Sequence, residues 1–139
     1  MKRKILLFVL LYINFVVTGQ IAKEQITGST QIFPKEHSKL VINTNVLLAG
    51  ESLLYKIYNH TESGTASSLS KVAYVSLRGA KDSVVFKHKL RLGRGMAQGS
   101  FFIPAILKTG VYQLLGYTNF SLNNSENAIA SKSIYIIDN

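Results

Sequence analysis

From Ser38 onward, apolar and polar residues alternate in short runs separated by turn residues at intervals of about ten. That is the period of strands, in which successive side chains point to opposite faces, and it differs from the 3.6-residue period of helices. The clearest run is Ser83 to Leu92. Val84, Phe86, His88, Leu90 and Leu92 share one parity and Val85, Lys87, Lys89 and Arg91 the other, so from residue 86 one face is apolar and the other basic. Ser52 to Asn59 sets Leu53, Tyr55 and Ile57 against Leu54, Lys56 and Tyr58, and Lys71 to Arg78 offers Ala73, Val75 and Leu77 as a core face. Between these two runs, His60 to Ser68 reads as a polar loop. Lys39 to Asn43 (continued by Val46-Leu47-Leu48), Met96 to Ile103, Gly110 to Phe120 and Ile129 to Ile137 complete a set of seven. Such strands must cover their apolar faces, and two sheets packed face to face do so most economically. The expected fold is an all-β, immunoglobulin- or fibronectin-like, seven-stranded antiparallel β-sandwich.

The amino-terminal segment follows a different grammar. Lys2, Arg3 and Lys4 precede an apolar stretch from Ile5 to Val17, broken only by Asn14 and followed by Thr18-Gly19. Charged, apolar, then small is the order of a secretory signal. The stretch is shorter than the roughly 20 apolar residues a spanning helix needs. Residues 1–19 are therefore read as a signal peptide, with cleavage expected before Gln20. An uncleaved anchor, which would be the one route to membrane contact, and a buried helix are the alternatives. Residues 20–37 hold no period and read as a flexible lead-in, leaving 38–139 as the folded domain. The sequence thus predicts an exported protein of the periplasm or cell surface.

Composition narrows the function classes. A chain of 139 residues with 47% hydrophobic and 17% charged residues buries one core and is not disordered. The absence of cysteine excludes a disulfide framework, thiolate-ligated metal and a cysteine nucleophile. The formal net charge of +9 falls to +6 once Lys2, Arg3 and Lys4 are set aside, a balance that draws anionic partners. No helix-turn-helix, zinc-finger or RNA-sheet motif accompanies it, so nucleic acid is not an expected partner. A protein or an envelope polysaccharide is.

Four pieces of the chain carry a resemblance. Gly50-Glu51-Ser52-Leu53-Leu54-Tyr55-Lys56 and Leu69-Ser70-Lys71-Val72-Ala73-Tyr74-Val75 are followed by Gly95-Met96-Ala97-Gln98-Gly99-Ser100-Phe101 and by Thr109-Gly110-Val111-Tyr112-Gln113-Leu114-Leu115-Gly116-Tyr117-Thr118-Asn119. In this order, from Lys39 to Ile137, the chain resembles the macroglobulin-type β-sandwich domain of secreted Bacteroidetes proteins, related to the second domain of alpha-2-macroglobulins. It departs from that pattern where Asn43-Thr44-Asn45 stands in place of an Asp-Lys-Pro turn. The resemblance implies a β-sandwich serving as a structural or protein-interaction module of the cell envelope. Whole macroglobulins trap proteases with a bait region and often a thioester, for which this chain has no room.

Candidate chemistry is sparse. His37, His60 and His88 show no metal-ligand spacing, and the seven acids include no close pair outside the lead-in. No catalytic residue, cofactor site or metal site is assigned, and the expectation is that the protein is not an enzyme. The one surface feature with chemical content is the basic row Lys87, Lys89 and Arg91, extended by Arg94. Alternate residues of a strand stand about 6.5–7 Å apart, a spacing able to follow anionic groups on a polymer. The same row serves equally as a solvated face whose lysines discourage edge-to-edge aggregation. The alternative function carried by this row is a carbohydrate-binding sandwich for anionic or neutral glycans.

Overall fold

The computed structural model describes residues 34–123 and 128–138, so the signal segment and most of the lead-in lie outside the described residues. The described residues form eight strands: β1 (Glu36–Ile42), β2 (Val46–Leu48), β3 (Ser52–Thr61), β4 (Val72–Arg78), β5 (Val84–Arg91), β6 (Met96–Phe102), β7 (Gly110–Tyr117) and β8 (Ala130–Ile137). They form a three-stranded sheet, β1-β3-β6, and a five-stranded sheet, β2-β8-β7-β4-β5. All pairings are antiparallel except that of β2 with β8. This is the all-β, immunoglobulin-like sandwich the alternation predicts.

The core follows from the same parity. Leu53, Tyr55 and Ile57 of β3 face Ala73, Val75 and Leu77 of β4, with Leu114 of β7 and Ile134 and Ile136 of β8 beside them, all buried. Each large aliphatic side chain among them contributes about 1.5–3 kcal/mol by leaving water. Two inner positions belong to glycine because a neighbour occupies the space of a side chain. A Cβ at Gly116 would stand 2.8 Å from Leu40 Cγ and 3.0 Å from Ile57 Cδ1. At Gly99 it would meet the Tyr55 ring, 2.6 Å from the hydroxyl.

Three details of the expected organisation change. Val46–Leu48 does not prolong the first strand but joins the opposite sheet, which raises the strand count from seven to eight. Asn43-Thr44-Asn45 makes that crossing possible. Asn43 Oδ1 accepts from the Leu54 amide at 2.9 Å, Thr44 Oγ1 accepts from the Val46 amide at 3.2 Å, and the Asn45 carbonyl accepts from the Tyr135 amide at 2.7 Å. The backbone groups freed by leaving one ladder are thus satisfied before the chain enters the other. Secondly, β1 starts at Glu36, so Glu36 and His37, assigned to the lead-in, belong to the sheet. Thirdly, His60 lies within β3 rather than in the loop that follows it.

Candidate functional site

Lys87, Lys89 and Arg91 lie on the solvent face of β5, an edge strand of the five-stranded sheet. The Lys87 ammonium stands 4.8 Å from the ring centre of Tyr74 and 5.7 Å from that of Tyr117. The two tyrosines, register partners on β4 and β7, stack at 5.5 Å. Lys87 is thereby committed to an aromatic pair within its own sheet. Arg94 leaves the row. It occupies the turn between β5 and β6 in a left-handed conformation (φ 52) next to Gly95 (φ 74) and opens onto the other sheet. Four cations that are neighbours in sequence therefore serve two different surfaces.

The surface Arg94 joins is the outer face of the three-stranded sheet. Lys39, Val41, Tyr58, His60 and Arg94 line a groove of about 550 Å³ there, and Val41 continues into a second groove of about 650 Å³ with Leu54, Lys56 and Gln98. Across β1 and β3, Lys39 is the register partner of Tyr58, and Val41 that of Lys56. Lys56 Nζ lies 5.4 Å from the Tyr58 ring centre. Val41 (47% exposed) and Leu54 (51%) form an aliphatic floor that water still reaches. Beyond it, His37 and His60, directly opposite each other, stack with ring centres 5.7 Å apart. Sequence reasoning missed both histidines as neighbours, because it placed one in the lead-in and the other in a loop.

Two buried polar groups hold this end and flank of the sandwich in place. Glu36 is fully buried, and its carboxylate accepts from the Ser70 hydroxyl at 2.5 Å, the Thr118 hydroxyl at 2.6 Å and the Ser70 amide at 3.3 Å. Burial pushes its pKa up, but the hydroxyls of Ser67, Ser70 and Thr118 together with the Ser70 amide outweigh it and hold the carboxyl below the ordinary range. On the opposite flank Tyr55 hydrogen-bonds His88 Nδ1 within an aromatic cluster in which Phe86 and Phe101 stack at 3.9 Å. Burial pushes the Tyr55 hydroxyl up to about 12. Among the described residues no group of three or more His, Cys, Asp or Glu side chains could hold a metal ion. Among the same residues, no helix is long and apolar enough to cross a membrane.

No family model matches the chain, and no curated protein does. Solved structures match in fold. The CARDB domain of a Pyrococcus furiosus protein, crystallised in complex with di-metal ions, aligns with 77% of this chain and 96% of its own at a TM-score of 0.50 and 12% identity. A beta-glucosidase from Listeria innocua in complex with glucose aligns at a TM-score of 0.47 and 12% identity, covering 76% of this chain but 16% of the enzyme. The likeness to the CARDB domain is one of fold alone, and with the two sheets described above it makes the chain an immunoglobulin-like β-sandwich domain.

Proposed function

We propose that the protein is a non-enzymatic structural or protein-interaction module of the cell envelope, of macroglobulin type. The observation that carries this reading is the outer face of the three-stranded sheet, where Val41, Leu54, Tyr58, Met96 and Phe102 stand exposed on a rigid antiparallel scaffold. Exposed apolar side chains gathered on one face mark an interaction surface. The macroglobulin assignment draws on the four sequence pieces, which supply β3, β4, β6 and β7 of the sandwich in the order the resemblance requires. Placement in the periplasm or at the cell surface draws on the signal grammar of residues 1–19.

The test has two arms. Expressed with its full amino terminus in a bacterial host, the protein should fractionate outside the cytoplasm with a mature chain that begins at Gln20. Incubated in excess with serine, cysteine, metallo- and aspartic proteases, it should leave their activity unchanged. Stoichiometric inhibition, or turnover of a hydrolase substrate, would overturn the reading. The competing carbohydrate-binding reading has less support from the basic row, since Lys87 covers its own tyrosine pair and Tyr117 is buried. A glycan array at low and raised salt tests it: salt-sensitive binding lost in Lys87→Ala with Lys89→Ala would favour it.

A further inference from the structure

We infer that the groove on the outer face of the three-stranded sheet docks an extended, acidic segment of another protein. The inference rests on the interaction-module reading and names the surface and the chemistry of its partner. Every charged side chain lining the groove is basic. Lys39, Lys56 and Arg94 surround it, and none of the three lies within ion-pair distance of a carboxylate among the described residues. The nearby acids are engaged elsewhere: Glu36 is buried among hydroxyls, Glu51 accepts from the Leu48 amide and Glu62 pairs with Lys35 at 3.0 Å.

The spacing selects the occupant. Measured along β3 the cations fall at successive two-residue levels but on three strands, with Lys56 on β3 itself, Lys39 on β1 opposite Tyr58, and Arg94 on the β6 side beside Asn59 and His60. A segment lying over β3 has the last two on opposite flanks, within reach of their long side chains. Two residues of a strand advance about 6.6–6.8 Å, which is also the repeat of same-face side chains in an extended peptide. An extended segment with acids at alternate positions therefore meets one cation per acid while its backbone crosses the aliphatic floor of Val41 and Leu54. A sugar polymer is matched less well. A neutral glycan would stack on aromatic faces, and of the groove's aromatic side chains Tyr58 has Lys56 near its ring and His60 stacks on His37. Other occupants from the same chain are disfavoured by charge. Residues 20–33 carry one Lys and one Glu, and a second copy brings net positive charge to a positive groove.

The test uses fluorescence anisotropy of a labelled decapeptide alternating Glu and Val, against the same composition with its glutamates grouped at one end. The purified protein should bind the alternating peptide saturably, more tightly than the grouped one, and less tightly as salt rises. Lys39→Ala combined with Arg94→Asn should weaken binding about tenfold or more. Asn is chosen because it tolerates the left-handed backbone at 94. Lys87→Ala with Lys89→Ala, on the opposite sheet, should change it less than about twofold. An unchanged thermal melt confirms that both variants fold. Absence of saturable binding, or equal loss in the two variant pairs, refutes the groove while leaving the module reading to its own tests. Displacement of the peptide by a galacturonate hexamer that itself binds more tightly would make the occupant a polysaccharide and overturn the inference.

Discussion

Glu36→Ala should be among the most damaging single changes outside the aliphatic core. The carboxylate joins the start of β1 to Ser67 and Ser70 before β4 and to Thr118 after β7, so one group ties three chain segments together. Thr118 and Ser67 are themselves buried, and Thr118 Oγ1 also accepts from the Ser121 amide at 3.0 Å. Removing the acceptor leaves at least two buried hydroxyl donors without an acceptor at about 1–3 kcal/mol each, so a loss of about 3 kcal/mol or more is expected. That is a large share of the 5–15 kcal/mol typical of a domain. Glu36→Gln keeps the shape but gives up the charge, and should cost about 1–2 kcal/mol. The two variants also differ from the parent in pH dependence. Because the folded carboxyl is held below its ordinary value, its contribution is complete above the unfolded value of about 4.3 and is lost as pH falls through the lower folded value. Urea unfolding followed by circular dichroism, at pH 7 and then stepwise from about 5 to 3, should show the gap between parent and Glu36→Gln narrowing with acid. A gap that stays constant with pH, or a Glu36→Ala protein within about 0.5 kcal/mol of the parent, would refute the account of this cluster.

Further outcomes follow from neighbouring features. Gly116→Ala forces a methyl group against Leu40 and Ile57 and should lower stability by about 1–3 kcal/mol, read as a reduced urea midpoint. Gly99→Ala should displace the Tyr55 ring and break its hydrogen bond to His88, visible as a shifted His88 resonance in the NMR spectrum. In an alkaline titration Tyr55 should resist ionisation until about pH 12; its neutral-state preference keeps full stability below the ordinary tyrosine value near 10 and forfeits it as pH climbs towards the folded value. Truncation after Ser131 removes the fully buried Ile134 and Ile136 and leaves the β8 side of β7 unpaired, so cooperative melting should vanish and aggregation appear. A sharp melt near the parent temperature would contradict that placement of β8.

What the sequence made legible was parity. In β4, alternation alone named the buried residues Ala73, Val75 and Leu77, because a one-residue slip would turn them to water, and in β3 it separated the two faces. Elements without alternation were opaque. Three residues of β2 are too few to show a period, and the sheet they join is decided by β8, about ninety residues away. Glu36 was hidden for a related reason: a charged residue in a polar stretch reads as solvated, and its burial depends on hydroxyls from two distant loops. The basic row was found as a row, yet its division between two surfaces depends on a turn with φ 52 at Arg94 that composition does not announce. The groove was invisible because its cations come from β1, β3 and the β5–β6 turn, and only the register brings them to one face.

The parallel pairing of β2 with β8 also governs when the domain can close during synthesis. Val46 meets Tyr135 and Leu48 meets Ile137, contacts that span almost the whole folded region. β1 and β3 can pair as soon as residue 61 is made, but the five-stranded sheet lacks the strand between β2 and β7 until Ile137 emerges. Loop-closure entropy must be met before such distant contacts reward it, so closure of the domain is slow and waits for β8. Until β8 is made, a nascent chain of this topology keeps one edge of β7 unpaired and β2 without its partner, and over that interval it depends on holding factors more than a locally folding helical domain of equal size would.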